Sequence, residues 1–285
     1  MNIILLLTMA PVIILAIIIY SQDPYEKESK RLLKKLFIFG ILSAVATVVF
    51  SIFAEKFFLI FQANEQSLDK KNLFTYIFVT IALVEEFFKF AFTMIGSWND
   101  PEFGHSFDGI VYAVYVALGF AAIENFLYVL TAITTMGAIT RAVIRAVTAV
   151  PIHAICGVFM GALIGKAKQL GNKERYLAMS FSLVLAVLIP AIIHAIYNWT
   201  IMANYSYLHF FAVVIVIYII GIILVIASAK RSKDLLTDEL SSAQAEADLR
   251  ELEAKPLSEY IEATSPNIAS NYSENIKENL DNKAQ

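Results

Sequence analysis

Charge is what this chain has least of. Only 16% of its 285 residues are Asp, Glu, Lys or Arg, while 58% are apolar; soluble domains run at roughly 25% and 45–50%. Mean hydropathy is +0.66, too apolar for one water-soluble core. The shortage is uneven, because Leu235–Gln285 has an ordinary soluble composition and Met1–Ala229 is therefore more apolar still. Cysteine is nearly absent: the lone Cys156 lies in an apolar run, which excludes a disulfide framework and a cysteine-based metal centre. A basic field is missing too, with a net charge of −3 and a pI near 5.9, so no nucleic acid is expected as a partner. Met1-Asn2-Ile3 supplies no basic leader and no small-residue cleavage pattern follows, so the first hydrophobic run is expected to remain as a span. No internal repeat is visible. Disordered, collagen-like, coiled-coil and disulfide-scaffold classes fall away. What is left is an all-α polytopic helical membrane bundle whose surroundings are the lipid bilayer.

A membrane helix needs about 20 mostly apolar residues. Seven runs qualify, at about 2–20, 36–58, 73–95, 108–134, 142–165, 177–203 and 207–229. They are continuous rather than alternating, which favours helices over a transmembrane β-barrel. Lys27, Lys30, Arg31, Lys34 and Lys35 follow the first run, Lys166, Lys168, Lys173 and Arg175 the fifth, and Lys230, Arg231 and Lys233 the seventh. With seven crossings these segments share one side, and only Lys70, Lys71 and Arg141 stand opposite. The positive-inside rule then puts the N-terminus outside and the C-terminus in the cytoplasm. Gly96–Phe107 has no Lys or Arg and reads as a tight turn around Asp100-Pro101 and Gly104. Four regions follow: two N-terminal spans (1–72), a catalytic core of spans three to six (73–203), the last span with its basic stop (204–233) and a tail (234–285). Asp234–Lys255 reads as a weak amphipathic helix, and Pro256–Gln285, rich in Asn, Ser and Glu, as disordered.

Ionisable residues at bilayer depth cost about 2.5–3.5 kcal/mol each and are functional suspects. Span three carries Glu85, Glu86 and Lys89, span four Glu124 and Asn125, span five His153, and span six His194 and Asn198. Unpaired, the four charges and two histidines would cost on the order of 10 kcal/mol, so they must meet. Helical spacing allows it: Glu85 and Glu86 stand one turn before Lys89, and His194 and Asn198 share a face. His153 heads a small-residue stripe of Gly157, Gly161 and Gly165, suited to close helix packing. Arg141 and Arg145 are expected to snorkel at the outer end of span five, and Tyr112, Tyr115, Tyr128 and Tyr197 to pack.

Peptide hydrolysis needs a base for water and donors for the oxyanion, and this set contains both. Gly-x-Ser-x-Gly, His-Glu-x-x-His and Gly-x-Gly-Asp are all missing, which argues against rhomboid-like, zincin-like and presenilin-like enzymes. The rival class is a proton-coupled transporter or channel using the same Glu, Lys and His. Such a protein would show an inverted repeat or paired broken helices; no repeat is visible, although Pro151 and Pro190 offer breaks.

Four ordered motifs sharpen the choice. Glu85-Glu86-Phe87-Phe88-Lys89 fits E-E-x-x-K. Phe107-Asp108-Gly109-Ile110-Val111-Tyr112 leads to Gly119-Phe120-Ala121-Ala122-Ile123-Glu124-Asn125. His153-Ala154-x-x-Gly157 and His194-Ala195-Ile196-Tyr197-Asn198 follow. Together, over about residues 73–203, they strongly resemble the PrsW family of bacterial intramembrane proteases, in the clan of the CAAX prenyl endopeptidases and bacteriocin-immunity proteases. The resemblance implies a hydrolase in which Glu85 or Glu86 with His153 activates water, His194 and Asn198 hold the oxyanion, and Lys89, Glu124 and Asn125 support the site. It implies either no cofactor or a divalent metal such as zinc on Glu85, Glu124, His153 and His194. Its substrate would be a membrane protein of the anti-sigma factor type, cut at site 1 to start release of a stress-response sigma factor. The chain departs from the E-E-x-x-x-R of the CAAX enzymes, its Lys89 standing one residue earlier, so the two glutamates remain alternatives for the base.

Overall fold

The computed structural model describes residues 2–23, 27–57 and 69–254, and these are helices joined by turns and short connections with no strand among them. The helices are α1 (Asn2–Gln22), α2 (Lys30–Phe57), α3 (Lys70–Ile77), α4 (Leu83–Ser97), α5 (Ser106–Leu130), α6 (Thr135–Val147), α7 (Ala149–Asn172), α8 (Tyr176–Met202) and α9 (Tyr207–Ala254). One π-helical turn, Phe78–Ala82, joins α3 to α4. Six stretches are long and apolar enough to cross a bilayer: Ile4–Gln22, Lys30–Phe53, Ser106–Leu130, Thr135–Asn172, Tyr176–Met202 and Tyr207–Ala247. The remaining expected run, 73–95, falls in α3–α4 and is not among the six; it is interrupted by the π turn and carries Glu85, Glu86 and Lys89.

Helix α5 is the axis. It is buried almost all round, as a helix apolar on every face must be, and it packs against α7, α2, α1 and α4. Glycine makes the closest of these contacts possible. A Cβ on Gly161 would run into the carbonyl oxygen of Gly109, and one on Gly165 into that of Ser106, so α5 and α7 touch backbone to backbone. The outer helices α1, α2, α8 and α9 expose Leu6, Ile17, Val49, Val184, Ile219 and Ile223 to the surroundings. Hydrocarbon accommodates such a surface; water would drive it to aggregate.

The π turn sets the phase of the site. Leu73 and Ile77 are buried on α3, the next buried residue is Ala82, five positions on, and Glu86, Lys89 and Thr93 follow at helical spacing. The wide turn therefore rotates α4 so that its charged residues point inward.

The run expected at 142–165 is not one helix. It breaks at Thr148 (φ −125°, ψ −70°) into α6 and α7. Pro151 lacks the N–H that would bond the carbonyl of Val147, and Tyr218 of α9 supplies the donor, its hydroxyl 2.5 Å from that oxygen and 3.2 Å from the Thr148 carbonyl. The run expected at 108–134 ends at Leu130, and Thr134 then caps α6 by accepting from the Gly137 N–H at 3.0 Å.

One end of the bundle is stapled by polar contacts. Lys35 pairs with Asp100 at 3.0 Å, the Ser29 N–H donates to Glu102 at 2.8 Å, and Lys168 donates to the Trp98 carbonyl at 2.6 Å. The connection before α2, the turn before α5 and α7 thus share one end, and the turn without Lys or Arg offers carboxylates to bases on its neighbours. Hydrogen bonds from Ser29 hold the Glu102 carboxyl below its ordinary range, while burial lifts that of Glu28 to about 8.

The chain divides into Met1–Lys233, which holds the bundle, and a second unit, Asp234–Gln285. In the second unit residues 234–254 are helical, with Leu235 and Leu240 exposed, over the stretch read as a weak amphipathic helix. The part expected to be disordered, Pro256–Gln285, lies outside the described residues.

The glycine contacts make a differential prediction. Gly161→Val should cost about 1–3 kcal/mol or more by forcing α5 from α7. Gly104→Ala, where an added Cβ meets nothing within 4 Å, should be near neutral. Unfolding midpoints in mild detergent measure both.

Candidate active site

Five helices deliver the polar residues to one cluster. Helix α4 brings Glu85, Glu86 and Lys89, α5 Glu124 and Asn125, α6 Arg145, α7 His153 and α8 His194. Lys89 is its hub. Its ammonium donates to Glu86 Oε1 at 2.7 Å, lies 2.9 Å from His153 Nδ1 and 4.0 Å from Glu85 Oε2, and sits 4.2 Å from the centre of the Phe120 ring. Glu86 Oε1 also meets His194 Nδ1 at 2.9 Å, and Glu85 Oε2 stands 3.8 Å from that nitrogen. The two imidazoles meet edge to face, centroids 5.0 Å apart.

Hydrogen-bond logic assigns the His153 protons. An ammonium only donates, so Nδ1 accepts from Lys89 and Nε2 carries the proton. Nε2 then donates to Glu124 Oε2 at 2.6 Å. Behind Glu124 stands Arg145, whose Nη2 is 2.9 Å from the same oxygen and whose Nε donates to Asn125 Oδ1 at 2.8 Å. Asn125 in turn donates to the Thr8 carbonyl on α1 at 3.3 Å. The expectation that Arg145 snorkels is therefore overturned. Arg145, on α6 before the break at Thr148, points inward against Glu124, 4.0 Å over the Tyr128 ring. Arg141 does stay exposed, bonded to the Tyr128 carbonyl and the Thr131 hydroxyl. Sequence reasoning missed Arg145 because it assumed one straight helix; Pro151 was the available signal.

Counted formally, three carboxylates face two cations among apolar helices. Glu86 and Lys89 are fully buried; Glu85 retains 12% exposure and Glu124 20%. Two carboxylate oxygens, Glu85 Oε2 and Glu86 Oε2, are buried without a hydrogen bond, a condition that calls for water or an ion. Asn198, one turn beyond His194, is half-buried and makes no hydrogen bond to the described residues. An apolar groove lined by Phe50, Leu83, Val84, Phe87 and Phe88 runs beside the two glutamates on the α2–α4 face.

Glu85, His153 and His194 offer donor atoms within 4.8 Å of one another, the two-histidine, one-carboxylate set of hydrolytic zinc sites. Each histidine has a carboxylate on one ring nitrogen, Glu124 on His153 and Glu86 on His194, as metal-bound histidines usually do. The set fits a divalent ion, provided Lys89 turns from His153 to the glutamates. Glu124, expected among the ligands, stands outside this group of three as the carboxylate behind His153.

Comparison with known proteins agrees with this chemistry. Residues 28–226 match the family described as PrsW family intramembrane metalloprotease. Protease PrsW of Oceanobacillus iheyensis is 37% identical over 190 residues, covering 67% of this chain and 79% of that protein. Protease PrsW of Geobacillus kaustophilus is 32% identical (68% and 78% covered), and that of Bacillus subtilis 30% (70% and 83%). No solved structure matches the chain significantly. The transporter reading of the buried charges gives way to a peptidase. With Glu85, Glu86, Lys89, Glu124, His153 and His194 in one cluster inside a multi-pass helical bundle, the chain belongs to the PrsW family of intramembrane metalloproteases.

Proposed function

We propose that this protein makes the site-1 cut in a membrane-anchored anti-sigma factor, with Glu85 as the base that takes a proton from the attacking water. The observation that carries the assignment is the contrast between the two glutamates. Glu86 is fully buried with Oε1 spent on Lys89 and His194, while Glu85 accepts no hydrogen bond and keeps a partial opening, although each retains one unbonded oxygen. Glu85 would take the proton as water attacks and return it to the leaving amine. His194, braced by Glu86, and Asn198 on the same face of α8 would donate to the developing oxyanion. His153 is kept in one tautomer by Lys89 and by the Glu124–Arg145 pair. A divalent metal held by Glu85, His153 and His194 would be the alternative to these roles of Glu85 and His194, supplying a Lewis acid that makes water nucleophilic at neutral pH; His194, with Nδ1 on Glu86, would then have no ring N–H for the oxyanion. The groove on the α2–α4 face suits lateral approach of a substrate helix from lipid. The anti-sigma assignment comes from the family resemblance, and the proposed orientation, N-terminus outside, from the Lys and Arg distribution.

Cleavage of a tagged single-span substrate of the anti-sigma type tests the roles. Glu85→Gln should lose about 10²–10⁴-fold in rate while folding normally. Full cleavage by Glu85→Gln would remove it as the base.

Metal analysis gives a second test. The purified protein should carry one divalent ion per chain, His153→Ala should carry none, and chelation should abolish cleavage in the wild type.

Arg145 acts through Glu124, so Arg145→Ala should lower the rate by about 10–100-fold. Arg145→Lys should recover part of it, and Arg141→Ala should leave it unchanged.

A further inference from the structure

The centre of the cluster is held by a cation on a tether. The Lys89 ammonium lies 2.9 Å from His153 Nδ1 and 4.0 Å from Glu85 Oε2. It therefore meets two of the three side chains whose donor atoms fall within 4.8 Å of one another. The third, His194, shares Glu86 Oε1 with it. Lys89 is fully buried, so its charge has to be balanced by groups inside the bundle.

The two nitrogens of His153 are held differently. Nε2 donates to Glu124 at 2.6 Å, Arg145 fixes that carboxylate at 2.9 Å, and Asn125 fixes Arg145 at 2.8 Å. That side of the ring is locked by successive contacts on α5 and α6. Nδ1 meets only the end of a flexible four-carbon stem. An ion that binds His153 needs a ring lone pair, and with the proton on Nε2 that lone pair is on Nδ1. Ion and ammonium thus compete for one atom. A second position for the ammonium is at hand. Glu86 Oε2 is buried and accepts no hydrogen bond, on the same carboxylate whose Oε1 takes one from Lys89 at 2.7 Å. The Phe120 ring, 4.2 Å from the ammonium, favours a cation there as well. The pairing of Lys89 with Oε1 and His153 leaves this buried oxygen unexplained; an exchange accounts for it.

We propose that Lys89 is a displaceable stand-in for the metal: a divalent ion takes His153 Nδ1, and the ammonium shifts onto Glu86 Oε2. The inference rests on the metal-bound reading of the site given above. It makes Lys89 a positioning residue, which holds His153 and Glu85 in place with a built-in charge until the ion arrives. Metal uptake is then an exchange of partners inside a folded bundle, unlike sites whose ligands are assembled only by the ion. The Glu124–Arg145 side of His153 is unchanged by the exchange, so the ring keeps its orientation.

The test uses the full chain in detergent with ¹⁵N-labelled histidine and added Zn²⁺. The chain has four histidines, and the His153 signals are those lost in His153→Ala. Zinc should shift Nδ1 of His153 while Nε2 keeps its proton. Zinc on Nε2, with Nδ1 still hydrogen-bonded, overturns the exchange and leaves the metal reading standing. Zinc that never reaches His153 removes the metal reading and the exchange with it. Zinc affinity, measured against a competing chelator, gives a second readout. Lys89→Met should bind on the order of tenfold tighter, because no hydrogen bond to His153 has to be given up. Arg145→Met removes another cation of the cluster without freeing Nδ1, and should bind no tighter. Equal tightening in both variants assigns the effect to charge alone and overturns the proposal, as does an unchanged affinity in Lys89→Met. Should Lys89→Met fail to fold, the wild-type spectra decide.

Discussion

Much of this bundle is organised around neutralising charge that cannot reach water. Lys89 is fully buried, and so is Glu86 beside it. An isolated ion at that depth would cost several kcal/mol, and removal of one partner from such a pair typically costs about 3–5 kcal/mol. The helices must therefore arrive in one arrangement. Helix α4 has to turn inward, α7 has to present His153 to the ammonium, and α8 has to present His194 to the carboxylate. The π turn before α4 and the glycine contact between α5 and α7 serve that requirement, one by rotation and the other by close approach.

The same constraint makes the cluster chemically useful. In water, a lysine, two histidines and three carboxylates would each be solvated and unremarkable. Among apolar helices every proton has a determined owner, because each group has few partners. Lys89 sets the His153 tautomer, and Glu86 is tied to His194. Glu85 accepts no hydrogen bond from the described residues, with its Oε2 buried and unbonded. The distinction between two adjacent, identical side chains arises from which partners on α4 and α8 each one faces.

A break in one helix links the fold to the site. Pro151 withholds a backbone donor, Thr148 leaves the helical region, and Arg145 on α6 stands behind Glu124. Tyr218 fills the donor gap from a helix that contributes nothing else to the cluster. A residue outside the family motifs thus becomes part of the network that holds a motif histidine.

Much was legible in the sequence because hydrophobic run length and intramembrane charge are local properties. The all-α bundle, the spans other than the third and the divided fifth, and the residues that had to meet all follow from the cost of placing polar groups in lipid. Spacing also paired Lys89 with a glutamate, since one helical turn brings them together whatever surrounds them. Tertiary structure alone decided which glutamate Lys89 takes, which oxygen stays unbonded, and that Arg145 turns inward rather than toward the membrane surface. Those outcomes depend on helix rotation, on a π turn and on a break whose direction is set by packing, and a one-dimensional period contains none of these.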